Sequence, residues 1–196
     1  MEIVFATHNK NKLKEVALLL PKNITLLSLE DIGCTEDIPE TADTIKGNAI
    51  QKADYVTQKY GYNCFSDDTG LLVDALNGAP GIYSARYAGA QKNAEDNMQK
   101  LLQNLQEKKD RRACFKTAIA LNLNNEQHIF EGIVEGKITL EKKGEKGFGY
   151  DPIFMPLGYD KTFAELPLII KNEIGHRGKA IKKLTNYIKT LTNVTK

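Results

Sequence analysis

The sequence contains no tryptophan, only three cysteines and no long apolar run. Its longest uninterrupted apolar stretch, residues 16–20, is far too short to span a membrane. Cys34, Cys64 and Cys114 are widely spaced and match neither a disulfide framework nor a zinc-binding spacing, which favours a reducing, cytoplasmic setting. The first residues, Met-Glu-Ile-Val-Phe-Ala, lack the basic flank and apolar core of a signal peptide.

The remaining composition is typical of a folded domain. Of the 196 residues, 41% are hydrophobic and 27% are charged. This balance excludes a wholly disordered chain, and the length allows a sizeable core to be buried without disulfides. We therefore expect a single domain over residues 1–196, in which no composition shift separates lobes.

Charge is distributed unevenly, although the formal net charge is only +2. Residues 30–43 contain six carboxylates and no lysine or arginine, whereas residues 171–183 contain five cations and one glutamate. One interpretation is that both segments are simply solvated faces. The alternative is that the acidic segment forms a metal-binding edge and the basic segment an anion-binding edge. Only four of the 27 basic residues are arginines, and this composition matches a nucleic-acid-binding surface poorly. We expect neither a nucleic-acid nor a membrane partner.

The first thirty residues predict a βαβ unit. Residues 2–6 form an apolar strand pattern, and Asn9 or Asn11 can cap the helix that follows. Pro21 should stop this helix, and residues 24–29 predict a second strand. A strand, a helix and a strand in this order indicate an α/β fold.

The rest of the chain predicts further helices and strands of the same fold. The predicted helices are residues 44–60, 93–106 and 178–192. A strand is predicted at residues 63–66, ending at Asp67-Asp68, and a hairpin at residues 113–123 and 128–140 around Asn124-Asn125. Residues 34–41 are predicted to form an acidic loop, and residues 77–89 a long loop.

The segment between the first strand and the first helix is a candidate phosphate site. Backbone N–H groups at a helix start are unpaired and favour anions, and a lysine one turn later adds a cation. An ordinary capped helix with solvated lysines is the alternative, because no Walker string is present. The candidate residues are Thr7, His8, Asn9, Lys10, Asn11 and Lys12.

Carboxylates at Asp67-Asp68 and at Glu40 are candidates for metal binding and water activation. The string Asp67-Asp68-Thr69-Gly70 stands at the predicted end of a strand, where ligand crevices of α/β sheets lie. Because neighbouring side chains alternate along a strand, one carboxylate can face a cleft, hold Mg²⁺ or accept a proton from water. An Asx turn at Asp67-Asp68 and a helix-dipole charge at Glu40 are the alternatives.

Two later segments are candidates for binding a base. The glycines of residues 147–152 allow close approach to a flat ligand, on which Phe148 or Tyr150 could stack. Asp151 could accept hydrogen bonds from a base edge. Arg177 offers donors that fit the O6 and N7 acceptors of a purine and disfavour a 6-amino group. A turn anchored by buried aromatic residues and a basic helix start are the alternatives.

Short motifs spread over nearly the whole chain occur in the order of a known family. They are Thr7-x-Asn9-x-x-Lys12, Glu40-Thr41 with Asn48-Ala49-x-x-Lys52-Ala53, Ser66-Asp67-Asp68-Thr69-Gly70-Leu71, Gly78-Ala79-Pro80-Gly81-Ile82-Tyr83-Ser84-Ala85-Arg86-Tyr87, Gly147-Phe148-Gly149-Tyr150-Asp151-Pro152 and His176-Arg177-Gly178. With these motifs the sequence resembles the inosine triphosphate pyrophosphatase family, which hydrolyses non-standard purine nucleoside triphosphates.

The resemblance implies a fold, a reaction and a set of site residues. The fold is α/β, a long mixed β-sheet flanked by helices in two lobes with a central cleft, and the protein is a homodimer. The reaction is Mg²⁺-dependent cleavage of ITP, dITP and XTP to a nucleoside monophosphate and pyrophosphate. Asp68 is then the general base and, with Glu40, a metal ligand. The implied substrate contacts, besides residues 7–12, are Lys52, Thr69, Phe148, Gly149, Tyr150, Asp151, Lys171, His176 and Arg177.

Some features leave other functions open. Ala42 stands where the family usually has glycine, Gly47 where glutamate is common, and Gly175 where serine is common. A pyrophosphatase for pyrimidine or modified nucleotides is one alternative. A nucleotide- or RNA-binding module without turnover is another, although the carboxylates argue against it because they repel phosphate unless a metal intervenes.

Overall fold

The computed structural model describes residues 1–193 of the chain. The chain divides into two compact units. The first contains residues 1–68, 117–132 and 177–193, and the second contains residues 69–116 and 133–176. Each unit therefore combines segments that are distant in the sequence.

Strands and helices alternate over the first part of the chain, up to residue 73. Within residues 1–193 the strands are β1 (Glu2–Phe5), β2 (Thr25–Leu27), β3 (Cys64–Val73), β4 (Pro80–Gly81), β5 (Arg112–Leu123), β6 (Glu126–Ile138) and β7 (Phe154–Pro156). The α-helices are α1 (Lys10–Ala17), α2 (Ile45–Tyr60), α3 (Ala94–Asn104), α4 (Leu168–Ile174) and α5 (His176–Asn193).

The strands form one mixed sheet in the order β2-β1-β3-β5-β6-β7, with β4 paired to β3. Strand β1 runs parallel to β2 and β3, whereas β4 is antiparallel to β3 and β7 is antiparallel to β6. The predicted α/β class with a mixed sheet and flanking helices is confirmed. The central cleft stays a prediction.

Strand β1 shows how the first unit packs helices on both faces of its sheet. Ile3 and Phe5 belong to one apolar cluster, which also contains residues of α1 and α5. Val4 and Ala6 belong to another, which contains Val56 of α2. Successive side chains of a strand point to opposite faces, so this short apolar strand contacts both helical layers.

The helix boundaries follow the capping residues. The side chain of Asn9 caps α1 by accepting from the N–H groups of Asn11 and Lys12. Thr44 caps α2 in the same way, and Gly61, with a φ of 75°, ends it in the left-handed region. The sequence predicted Asn9 or Asn11 as the cap of α1, and the structure shows that it is Asn9. Helix α1 ends at Ala17, before the proline that was expected to stop it.

The second unit is built on α3, parts of the long strands and the loops that follow them. Its core contains Leu71, Leu101, Phe115, Ile138 and Phe154. The predicted hairpin is confirmed, since β5 and β6 are neighbours joined by Asn124 and Asn125, whose φ values are 52° and 67°.

Two sequence expectations about this region were wrong. The strand expected at residues 63–66 does not end at Asp67-Asp68 but continues to Val73. The Asp-Asp-Thr-Gly string resembles a turn, yet apolar residues on both sides hold it in the sheet and cations neutralise the buried Asp67. Helix α4 was not expected at all.

Among residues 1–193, no helix is long and apolar enough to cross a membrane.

Candidate active site

The loop after β1 and the start of α1 hold the first group of predicted residues. Thr7 accepts a hydrogen bond from the N–H of Asn9 at 3.2 Å, and Asn9 in turn caps the helix. The ring of His8 contacts the carbonyl of Glu36 at 2.9 Å. Lys10 and Asn11 are exposed, so the segment presents polar side chains at a helix N-terminus.

Lys12 differs from its neighbours because its ammonium group faces the sheet. Its Nζ lies 2.8 Å from the Oδ1 of Asp67 on β3. Burial lowers the pKa of Lys12, and the attraction of Asp67 opposes this effect. Lys12 is thus partly neutralised by a strand residue rather than wholly available to a phosphate.

Asp67 is the centre of a buried ion network in the first unit. It has no exposed surface and accepts from Lys12 and, at 3.0 Å, from the Nε of Arg177. Burial would raise the pKa of Asp67, but the charges of Lys12 and Arg177 outweigh this and hold the pKa well below its usual range. Asp67 is therefore an ionised structural carboxylate.

Arg177 is part of the same network, although sequence analysis placed it at the base edge of a purine. Its Nε and Nη1 donate to Asp67 and to Glu15, a buried residue of α1. Two of its donors are therefore engaged by carboxylates. Glu15 itself was missed, although it lies three residues after Lys12 and so on the same face of α1.

Asp68, the predicted base, lies beside Asp67 but is less completely buried, with 14% of its side chain exposed. Its Oδ2 accepts from the amide of Asn48 on α2 at 3.2 Å, and its Oδ1 lies 3.9 Å from Nζ of Lys52. Burial raises the pKa of Asp68, Lys52 opposes this rise, and Glu40 adds to it. Asp68 thus lies at the accessible side of the network, where a base must be.

Glu40 lies near Asp68 because both carboxylates contact the ammonium group of Lys52, with which Glu40 forms an ion pair. Burial would lower the pKa of Lys52, but Asp68 and Glu40 outweigh burial and the pKa is raised. Lys52 therefore stays protonated between the two predicted metal ligands.

These two carboxylates fit a divalent cation in their chemistry. Mg²⁺ in nucleotide enzymes is held by one or two carboxylates, by substrate phosphates and by waters, rather than by a closed protein cage. Within residues 1–193 no group of three or more acidic, histidine or cysteine side chains forms such a cage. Glu40 and Asp68, both in contact with one lysine, could form the smaller open set.

The second unit holds a separate polar group around Asp151. The Oδ2 of this buried carboxylate accepts from Nζ of Lys171 at 2.6 Å and from the N–H of Phe148 at 2.8 Å. The ammonium of Lys171 also lies 4.8 Å from the centre of the Phe148 ring. A Cβ at Gly147, whose φ is 77°, would overlap the Asp151 carboxylate, so the turn requires glycine there.

The other predicted residues of this unit play different parts. Tyr150 is buried and donates from its hydroxyl to the carbonyl of Ser84 at 2.8 Å, which makes it a core residue. Phe148 is half-buried and remains the accessible aromatic side chain of the segment, next to Gly149. His176 is buried and stacks on Phe115 with ring centroids 4.6 Å apart. Thr69, the first residue of this unit, is half-buried on β3.

Comparison with known proteins identifies the family. A sequence model of the Ham1 family matches residues 3–187. The chain belongs to the Ham1 family. The resemblance seen in the motifs is thereby confirmed.

Relatives and solved structures of Ham1 proteins match the chain over almost its full length. It is 67% identical to the dITP/XTP pyrophosphatase of Flavobacterium johnsoniae, over 96% of this chain and 98% of the relative. It is 46% identical to the dITP/XTP pyrophosphatase of Bacillus subtilis, over 95% and 96%. The structure of a HAM1 protein from Coxiella burnetii has a TM-score of 0.90 at 39% identity and covers 97% of this chain and 99% of its own.

Proposed function

We propose that this Ham1-family protein is a nucleoside-triphosphate pyrophosphatase that hydrolyses dITP, ITP and XTP to the nucleoside monophosphate and pyrophosphate. The names of its relatives, dITP/XTP pyrophosphatase, support the reaction and the substrate class. In this role the protein removes non-standard purine nucleotides from the nucleotide pool.

The charge of the network around Asp67 and Asp68 is the observation that carries the proposal. Three cations and four carboxylates form two ion-paired groups, a neutral one around Asp67 and one around Lys52 that carries one net negative charge. Such a cluster repels a triphosphate on its own. A divalent cation reverses that sign, so we propose Mg²⁺ as the cofactor, held by Glu40 and Asp68. The cluster is the set Lys12, Lys52, Arg177, Glu15, Glu40, Asp67 and Asp68.

Asp68 is the residue to which we assign the proton transfer. Burial raises the pKa of this carboxylate, and a cation held at it would favour the ionised form, which is the form that accepts a proton. It orients a water molecule and takes its proton as the water attacks the phosphoanhydride. Bound Mg²⁺ supplies charge neutralisation for the triphosphate and the pyrophosphate leaving group. Lys52, held protonated by its two carboxylate neighbours, adds a fixed positive charge.

The Asp151 group is the one to which we assign the purine. Phe148 is half-buried and is the aromatic side chain on which a base could stack, and the buried Lys171, whose ammonium lies beside the ring, is a donor that suits a 6-oxo group. A 6-amino group is itself a donor and would leave both donors unpaired, which disfavours adenine. The assignment of His176 and Arg177 to the base stays a prediction.

The homodimer and the cytoplasmic location also stay predictions. Leu140, Leu157 and Ile169 of the second unit are exposed, with 81%, 74% and 78% of their surface accessible. Exposed apolar side chains mark an interface between subunits where they form a contiguous patch, and these three are the candidates for one. Light scattering on the purified protein gives the mass in solution, and a monomer at micromolar concentration would contradict the dimer.

A substrate panel tests the proposed function. The purified protein is incubated with XTP, ITP, dITP, ATP, GTP and a pyrimidine triphosphate, with Mg²⁺ or with EDTA, and pyrophosphate and monophosphate are measured. We expect release of both products from XTP, ITP and dITP only in Mg²⁺, and much slower release from ATP. A preference for pyrimidines would favour the alternative pyrophosphatase, binding without turnover would favour a binding module, and activity in EDTA would refute the metal.

A further inference from the structure

Asn48 occupies a position that neither the motifs nor the comparisons assign to a role. It lies in the second turn of α2, and only 1% of it is exposed. Its amide makes two contacts: Nδ2 donates to the Oδ2 of Asp68 at 3.2 Å, and Oδ1 accepts from the backbone N–H of Ala42 at 3.0 Å. The backbone N–H can only donate, so the two contacts fix which side of the amide faces which partner.

Asn48 and Lys52, which lie one helical turn apart on α2, contact the same two parts of the chain: Asp68 and the segment of residues 40–42. Residues four apart lie on the same face of a helix. Lys52 contacts the Glu40 side chain and approaches the Oδ1 of Asp68, whereas Asn48 contacts the other oxygen, Oδ2. The two side chains therefore hold opposite oxygens of one carboxylate, and both also bind the segment that carries Glu40.

The geometry points to Asn48 as a positioning residue, which fixes the rotation of the Asp68 carboxylate and its distance from the Glu40 segment. We propose this role on the basis of the proposed function, in which Asp68 is the base and Glu40 and Asp68 hold the cation. The amide occupies Oδ2 and leaves Oδ1 directed toward Lys52. A carboxylate that is free to rotate would lose this orientation for part of the time, which lowers turnover more than substrate affinity.

Gln51 offers a matched control on the same helix. It binds the same loop by a pair of hydrogen bonds, accepting from the N–H of Thr41 at 2.8 Å and donating to the hydroxyl of Thr41 at 2.9 Å. No contact of Gln51 with Asp68 is found within residues 1–193. Gln51→Ala therefore removes an anchor of the loop without touching the carboxylate.

The experiment compares Asn48→Ala, Asn48→Asp and Gln51→Ala with the unaltered protein. Asn48→Asp is isosteric and retains an acceptor for Ala42, but it replaces the donor to Asp68, so it tests that hydrogen bond even if Asn48→Ala does not fold. We expect kcat for XTP to fall about 10–100-fold in both Asn48 variants, as is typical when a partner of a metal-binding carboxylate is removed, while KM changes little. Gln51→Ala should keep kcat within about twofold, since it loses only a surface contact.

A second readout does not depend on turnover. Binding of Mn²⁺, followed by the electron paramagnetic resonance signal of the free ion, should weaken about tenfold in Asn48→Ala and stay unchanged in Gln51→Ala. Wild-type turnover in Asn48→Asp, or equal losses in Asn48→Ala and Gln51→Ala, would overturn the role of Asn48. An unaltered protein that does not hydrolyse XTP would refute the proposed function instead, and the Mn²⁺ comparison would still decide the role of Asn48.

Discussion

Asp67 shows how a single residue can be both buried in a strand and ionised. A carboxylate transferred from water to a protein interior loses a large solvation energy, and only close cations compensate for it. Lys12 and Arg177 supply that compensation at 2.8 and 3.0 Å. Removing one member of such a set leaves the others as uncompensated buried charges.

We predict that Asp67→Asn lowers the free energy of unfolding by about 3–5 kcal/mol, because the two cations lose their partner. Urea denaturation at neutral pH measures the change. The pKa of Asp67 lies below its unfolded value, so its contribution is present above about pH 4 and is lost as the pH falls through the folded pKa.

Asp110→Asn is the control for this prediction. Asp110 pairs with Arg112 at 2.8 Å on the surface, where solvent screens the charges, so we expect no measurable change. Equal stabilities of the two variants would show that the Asp67 network does not stabilise the fold.

At the scale of an element, the start of α2 brings together Ala42 and Gly47, two positions at which the sequence differs from the motifs that the resemblance implies. A Cβ at Gly47 would lie 2.7 Å from the Cβ of Ala42 and 2.9 Å from the Oγ1 of Thr44. The methyl group of Ala42 thus occupies space that a side chain at position 47 would need. We therefore expect the residues at positions 42 and 47 to be coupled in their effect on stability.

We predict that Gly47→Ala destabilises the protein, although alanine is favoured over glycine in helices by about 1 kcal/mol. The double variant Ala42→Gly/Gly47→Ala should recover part of the loss because the clash with position 42 is removed. Thermal unfolding of the two single variants and the double variant forms a cycle, with an expected coupling of about 0.5–3 kcal/mol. Additive effects would contradict this coupling.

The acidic loop before α2 is held to the end of that helix by Glu36. Its carboxylate accepts hydrogen bonds from Lys59, from Tyr60 and from Tyr55. The hydrogen bond from Lys59, followed by that from Tyr60, lowers the pKa of Glu36 below its usual range. The stabilisation is therefore present above the unfolded pKa and disappears as the pH falls through the folded one.

We predict that Glu36→Gln lowers the unfolding temperature at pH 7, and that its difference from the unaltered protein shrinks below about pH 4, where glutamate outside such a site is protonated. Glu107→Gln, at an exposed position of the second unit, should leave the unfolding temperature unchanged at both pH values. A difference that persists undiminished in acid would show that the charge of Glu36 is not what holds the loop.

The elements also show which parts of the fold the sequence could predict. Helix α2 was predicted almost to the residue because its apolar residues recur at helical spacing, although the cap is Thr44 and was expected near Asp43. Strand β3 was cut short because two adjacent aspartates indicate a turn, and the cations that neutralise Asp67 lie elsewhere in the sequence. Helix α4 is only seven residues long, too short for a clear periodicity.

At the scale of the whole molecule, the candidate site depends on contacts that no local pattern contains. Glu15 and Arg177 are 162 positions apart, and Arg177 and Asp67 are 110 apart. The motifs indicated which residue types belong to the chemistry. They did not show that Arg177 is held by two carboxylates or that Tyr150 lies in a core, since both facts depend on the packing of distant segments.

The most direct test of the central claim compares the turnover of XTP in Mg²⁺ by the unaltered protein and by Asp68→Asn. The amide retains the shape of the side chain but cannot take a proton from water, so we expect turnover to fall by about 10²-fold or more. The unfolding temperatures are measured in parallel to show that both proteins are folded. A folded Asp68→Asn variant with near-normal release of pyrophosphate would contradict the assignment of Asp68 as the base.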